Sequence, residues 1–301
     1  MTYGKLVERI LTFRKLGVSF AEDLLPVADA RLEQLKSVWG NHTATATGMN
    51  DGIPTKTSKT HRVAVFGDAS SSMSRAIEAA SIFASMVSVC FDAELSFFGW
   101  GLVRSPHPKP RNVQEALEIC DKVRASGCTC LAAALWPYFE SKTKMDLFVM
   151  VTDEEENTNH EGYNFAALLA AYRRTVHPDA KLVVVRVGRG CRRFQGTLRE
   201  HGIDYKTVVV DGERPDHAKF DALLGQIAMI MDPTIVASVQ TNETNQTGSR
   251  GRDENRNGND NDSDGVLVDA LAAASVRSEG MNETNCSSTS SASNDSEFVV
   301  L

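Results

Sequence analysis

No apolar run in this 301-residue chain approaches the roughly 20 residues that a helix needs to cross a bilayer. A membrane role is not expected. The N-terminus, Met1-Thr2-Tyr3-Gly4-Lys5, leads into an amphipathic pattern and not into an uninterrupted signal-peptide core. The expectation is an intracellular protein, cytoplasmic first and nuclear second. The six cysteines, at 90, 120, 128, 130, 191 and 286, form no CxxC pair and no disulfide framework. Cys128 and Cys130 offer two thiolates, short of the four ligands a zinc site takes. His107, His160, His177, His201 and His217 have no metal-ligand spacing, and no Ser/His/Asp grouping can be drawn. Gly188-Arg189-Gly190 lacks a GxGxxG continuation. Asp68 is followed by Ala69, without the second aspartate expected of aspartyl-phosphate hydrolases. The net charge of -7 argues against bulk attraction to nucleic acid. It leaves room for a local basic patch, Arg186, Arg189, Arg192 and Arg193, as a weak hint of an anionic partner, although Arg192 and Arg193 more simply decorate a loop ahead of a helix at Phe194–His201.

What is present falls into four stretches. Residues 1–40 carry two helical periods, with Gly17 between them and Ser19 as the cap of the second. They are too short to hold a core alone and are expected to pack on the main domain. Residues 41–60, rich in Thr, Gly, Asn and Ser, read as a linker. Residues 61–232 alternate apolar strands with helices. The predicted strands include Val63–Phe66, Leu95–Phe98, Leu147–Val151, Leu182–Val187 and Thr207–Val210, and a helix is predicted from Met73 to about Val89. This pattern implies a doubly wound α/β domain, a mostly parallel sheet with helices on both faces. Residues 233–301 are dominated by Asn, Asp, Ser, Thr and Gly, and read as a disordered polar tail.

The chain is organised around Asp68-Ala69-Ser70-Ser71-Ser72, between a strand and a helix. Alternate residues of extended backbone point the same way, so Asp68, Ser70 and Ser72 can converge on one point. A carboxylate and two hydroxyls suit Mg²⁺ or Mn²⁺. Helix capping is an equal reading of that stretch taken alone. In open α/β sheets, however, ligands bind outside the carboxyl ends of the strands. Leu147–Val151 runs into Thr152-Asp153, and Ser126-Gly127-Cys128-Thr129-Cys130 enters a helix. Asp153 and Thr129 therefore join Asp68, Ser70 and Ser72 as candidate ligands of one hard cation. The following run, Glu154-Glu155-Glu156, reads as a solvated charge run, with extension of the metal site as the alternative.

These five residues, in this order, resemble the metal-ion-dependent adhesion site (MIDAS) of von Willebrand factor A domains. The similarity extends to the C-terminal A domain of Ro/TROVE ribonucleoproteins. It is carried by Gly127-Cys128-Thr129-Cys130, Thr152-Asp153-Glu154-Glu155 and Tyr172-Arg173-Arg174, and covers about residues 61–232. The resemblance implies that the serines and the threonine ligate metal directly and that the aspartates act mainly through water. It also implies a position left open for a partner's Glu or Asp. Cys128 and Cys130 replace a Gly and an Asp of the Ro pattern, and the helical-repeat ring that binds RNA in Ro proteins has no counterpart here. The leading expectation is a Mg²⁺-dependent protein-binding module that recognises a carboxylate. A ribonucleoprotein component involved in RNA binding or RNA quality control is the second, and a metal-dependent hydrolase using one of the glutamates as base the third.

Overall fold

Val63-Ala64-Val65-Phe66 and Leu147-Phe148-Val149-Met150-Val151 show no polar alternation, so both faces of each strand must be covered. In the computed structural model, which describes residues 1–39, 61–210 and 217–231, these are adjacent central strands. Every residue of β1 (Val63–Asp68) and β4 (Leu147–Thr152) is buried. The six-stranded sheet runs β3-β2-β1-β4-β5-β6, with β2 Glu94–Phe98, β3 Leu102–Arg104, β5 Lys181–Val187 and β6 Lys206–Val210. All neighbours are parallel except β2 and β3.

The period of two in each strand sorts the core into two layers. Ala64, Phe66, Phe148, Met150, Leu182 and Val184 face one side. They pack there against α5 (Ala132–Glu140), α6 (Phe165–Thr175) and α7 (Arg192–Glu200). The other face is covered by α3 (Ile77–Phe91), with α4 (Val113–Lys122) beside it. The N-terminal helices, α1 (Tyr3–Lys15) and α2 (Leu25–Trp39), extend this second layer together with α8 (Phe220–Met231). Tyr3, Val7, Ile10 and Leu11 of α1 and Ala28, Leu32 and Leu35 of α2 are buried. Polar ties fix their angle. Arg31 donates to Asp221 at 2.7 Å, and Asp29 of α2 accepts from the backbone N of Val113, at the start of α4, at 2.8 Å. The N-terminal pair thus forms one unit with the sheet domain.

Three local expectations change. The helix expected from Met73 is a 3₁₀ turn, Ser71–Arg75, followed by α3. Ala76, at φ -112°, separates the two, and Ser71 N is held by Gly127 O at 3.1 Å, so a neighbouring loop shapes that first turn. Ser19 caps nothing. Ser19–Leu24 is itself a 3₁₀ turn after Val18, and α2 begins at Leu25. Pro26 sits in the first turn of α2, where its missing N–H would have had no helical partner. Arg192 and Arg193, expected to decorate a loop, open α7. The predicted linker at 41–60, Gly40 and the tail at 233–301 lie outside the described residues. Among the described residues no helix is long and apolar enough to cross a membrane.

Candidate metal centre

The chain leaves β1 toward β2 on one side, while β4 continues to β5 on the other, so the β1/β4 junction is the topological switch point of the sheet. Gly67 is opposite Val151, which brings Asp68 beside Thr152 at the carboxyl ends. Asp68 has no exposed surface. Its Oδ1 accepts from Ser70 N at 2.9 Å, and its Oδ2 accepts from Thr152 Oγ1 at 2.6 Å. Burial pushes the carboxyl up to about 6; the Ser70 and Thr152 hydrogen bonds work against the rise, and the nearby Asp153 charge adds to it. Ser70 is extended (φ -72°, ψ 164°), so the alternation expected of this stretch holds through Ser70 before the 3₁₀ turn begins. The Ser70 and Ser72 hydroxyl oxygens stand 3.0 Å apart. Ser70 is buried and Ser72 is exposed, so the pair spans the boundary between core and solvent.

The loop carrying Thr129 is tied to this one through backbone. Ser126 N donates to Ala69 O at 2.7 Å, and Cys130 N donates to Gly99 O at 2.8 Å. Thr129 itself is 2% exposed. Asn157 holds it from the β4 side: Thr129 N donates to Asn157 Oδ1 at 2.9 Å, and Thr129 O accepts from the N–H groups of Asn157 and Thr158. Asp153 is half-buried, and its Oδ1 accepts from Glu155 N at 3.1 Å. Asp68, Ser70 and Ser72 are therefore gathered at one point, with Thr129 and Asp153 on loops of the same rim. Cys128 and Cys130 are free thiols, the latter buried and shifted upward by that burial.

Adjacent ligands of an octahedral Mg²⁺, each at about 2.1 Å, are separated by about 3 Å. The Ser70–Ser72 oxygen pair has that separation, and each hydroxyl keeps lone pairs to offer. Among the described residues no cluster of three or more His, Cys, Asp or Glu is arranged to hold a metal. The donor set fits a hard cation bound mainly by hydroxyls and not a zinc-type centre.

The glutamate run is not a solvated face. Glu154 has no exposed surface and sits at φ 67°, and its Oε2 accepts from Cys191 N at 3.0 Å and Gln195 Nε2 at 2.7 Å. Glu156 accepts from Phe165 N at 2.8 Å, and burial pushes its carboxyl up to about 7. Only Glu155 is exposed. The arginine group is also less uniform than its sequence suggests. Arg189, Arg192 and Arg193 are exposed, but Arg186 is half-buried, and its Nε lacks a partner among the described residues. A Cβ on Gly190, which is at φ 74°, would overlap the Arg186 side chain and the Glu154 carboxylate. Local sequence signalled neither Asn157 nor the inward turns of Glu154 and Glu156. Thr152 alone had a signal, as the residue that closes a buried strand beside Asp153.

Residues 57–193 match the family model described as the Ro60 vWA domain. No individual curated protein matches the chain. Solved structures similar to it include two of low identity. A von Willebrand factor type A protein from Catenulispora acidiphila is 16% identical over 56% of this chain, with a TM-score of 0.37. The D319A mutant of the PilB minor pilin from Streptococcus sanguinis is 11% identical over 62% of this chain, with a TM-score of 0.38. The chain spans 42% of the first and 65% of the second. The sheet order, the strand-end loops and the family match meet on one conclusion: over residues 57–193 this chain carries a von Willebrand factor A-type domain close to that of Ro60.

Proposed function

We propose that the domain is a divalent-cation-dependent protein-binding module of the MIDAS type. Ser70, Ser72 and Thr129 would hold Mg²⁺ or Mn²⁺ directly, with Asp68 and Asp153 behind them. The observation that carries this reading is the pair of serine oxygens 3.0 Å apart beside a carboxylate sealed from solvent. When bound, the cation supplies a point of positive charge for a partner's Asp or Glu carboxylate. The chain's own residues do the rest. Thr152 and Ser70 N hold the Asp68 carboxylate in one orientation. Asn157 fixes the backbone of Thr129. The exposed hydroxyl of Ser72 leaves one side of the site open to a ligand.

The test is calorimetric titration of the full chain with Mg²⁺ and Mn²⁺, followed by partner pull-down with metal and with EDTA. Cation binding should be lost in Asp68→Ala and in the Ser70→Ala/Ser72→Ala pair, with the circular dichroism spectrum unchanged. Partners retained equally in EDTA would rule out the metal-bridged reading.

The family match supports a second reading, a component of a ribonucleoprotein. Arg189, Arg192 and Arg193 are the exposed cations that could meet RNA on this rim. RNA crosslinking that survives Asp68→Ala but is lost on charge reversal at Arg192 and Arg193 would select it. The hydrolase reading is not carried forward, because Glu154 and Glu156, two of its three candidate bases, are committed to α7 and α6.

A further inference from the structure

A large aromatic side chain stands exposed beside the candidate centre. Trp100 is 74% exposed, at the tip of the turn that joins β2 to β3. That turn is pinned and not splayed: Gly99 N donates to Gly101 O at 3.1 Å, and Gly99 O accepts from Cys130 N. It also lies against both loops of the centre. A Cβ built on Gly99 would stand 3.1 Å from Ser126 O and 3.5 Å from Ala69 O. One built on Gly127 would stand 3.6 Å from the Cβ of Trp100. Gly127 O in turn accepts from Ser71 N, between the two serines. The indole is thus rooted in the same backbone network that positions Ser70, Ser72 and Thr129.

Trp100 does not stand alone. Leu102 and Val103, each 39% exposed, follow it on β3, and Arg104 beyond them is exposed as well. β3 is the edge strand of the sheet, and among the described residues no strand pairs with its outer side. Such an edge offers backbone donors and acceptors to an extended chain. An exposed Trp beside a polar site is the residue type that most often anchors a protein contact.

We propose that Trp100, with Leu102 and Val103, is the apolar half of a partner-binding surface whose other half is the cation site. The occupant is an extended protein segment with an Asp or Glu within a few residues of a large apolar side chain. The carboxylate goes to the cation and the apolar side chain to the indole, while Arg104 favours an acidic segment. The free edge argues for protein over single-stranded RNA: the backbone N–H and C=O groups of β3 match an extended peptide and not a sugar-phosphate chain, and Arg104 is the one exposed arginine from Trp100 to Arg104, where RNA grooves carry several cations. This inference rests on the metal-bridged reading of the site.

The test is selection of a random-peptide display library on the full chain in Mg²⁺. Enriched peptides should pair an acidic residue with an aromatic or aliphatic one within about three positions. Their affinity should fall at least about tenfold in Trp100→Ala and be largely kept in Trp100→Phe. Binding should also shift indole emission to the blue, a shift lost in Trp100→Phe because Trp39 packs against Gly225 and Trp136 against His160 and Tyr163. No enrichment, enriched peptides without the apolar residue, or equal affinity for Trp100→Ala would each overturn the proposal. So would binding of an oligouridine, or self-association of the chain, that Trp100→Ala abolishes. Peptide binding abolished by EDTA but indifferent to Trp100→Ala removes this inference and leaves the metal reading standing. Binding weakened by Trp100→Ala but indifferent to EDTA does the reverse, removing the metal and leaving the indole contact.

Discussion

Two carboxylates sit at the ends of neighbouring strands, and neither has any exposed surface: Asp68 closes β1, and Glu154 follows β4. Their surroundings differ in the kind of donor. Glu154 accepts from a backbone N–H and an amide N–H, both belonging to α7 or its cap. Asp68 accepts one backbone N–H and one hydroxyl, and two more hydroxyls, of Ser70 and Ser72, lie beside it. An N–H group can only donate, whereas a hydroxyl can turn a lone pair toward a cation. The first carboxylate is a joint between a loop and a helix. The second heads the set of oxygens proposed to take a metal. Burial alone would not have separated them.

The largest effect should come from breaking the joint. Glu154→Ala leaves Cys191 N and Gln195 Nε2 without their acceptor inside the protein, and should cost about 2–4 kcal/mol in urea unfolding. Its Mg²⁺ affinity should match that of the parent chain. On the proposed metal reading, millimolar Mg²⁺ should raise the Tm of the parent chain, and Asp68→Ala should remove that rise. If Glu154→Ala abolished metal binding while stability held, the contrast between joint and centre would be reversed.

How much of this the sequence carried depends on the range of the interaction. Five of the six strands, the mostly parallel sheet and the strand-end positions of Asp68 and Asp153 were legible, because each rests on a local period or on a residue at a strand end. Asp68 and Ser70 meet because extended backbone repeats every two residues, a repeat written in the sequence, whereas Ser72 joins them from the 3₁₀ turn. The inward turn of Glu154 was not legible, since its partners are 37 and 41 positions away on α7. The 3₁₀ turn at Ser71–Arg75 was missed for a similar reason, as Gly127 O on another loop helps set it. Arg192 and Arg193 were placed in a loop because α7 carries no side-chain cap at Cys191 to announce its start; its capping acceptor is the distant Glu154.

A pH profile sharpens the comparison at the next residue but one. Burial raises the Glu156 carboxyl from the usual 4.5 to about 7, against the pull of the Phe165 and Ala132 N–H groups and of Arg193. The folded protein therefore keeps a proton that the unfolded chain has released. Stability should fall as pH rises from about 4.5 to 7 and level off above that. Glu156→Gln keeps an acceptor for Phe165 N and removes the charge. It should flatten this segment of the profile and gain on the order of 1–3 kcal/mol at pH 8. Unfolding midpoints of both proteins between pH 4 and 8 would measure it, and parallel profiles would show that Glu156 is ionised at no cost.

Thr152 joins the two regions, and its substitutions should have the smallest effects on stability. Its hydroxyl donates to Asp68 Oδ2 and accepts from Glu154 N at 3.0 Å, so one oxygen orients the centre and holds the turn into the joint. Thr152→Val preserves the shape and removes the oxygen. It should cost about 1–2 kcal/mol and weaken Mg²⁺ binding severalfold, since Asp68 loses the hydroxyl that fixes its rotation. Thr152→Ser removes one buried methyl and keeps the oxygen, for a cost of about 1 kcal/mol with metal affinity unchanged. Titration calorimetry of the pair separates packing from orientation. Equal metal affinity in Val and Ser would mean that Ser70 N alone holds the carboxylate, and that the two ends of this strand pair work independently.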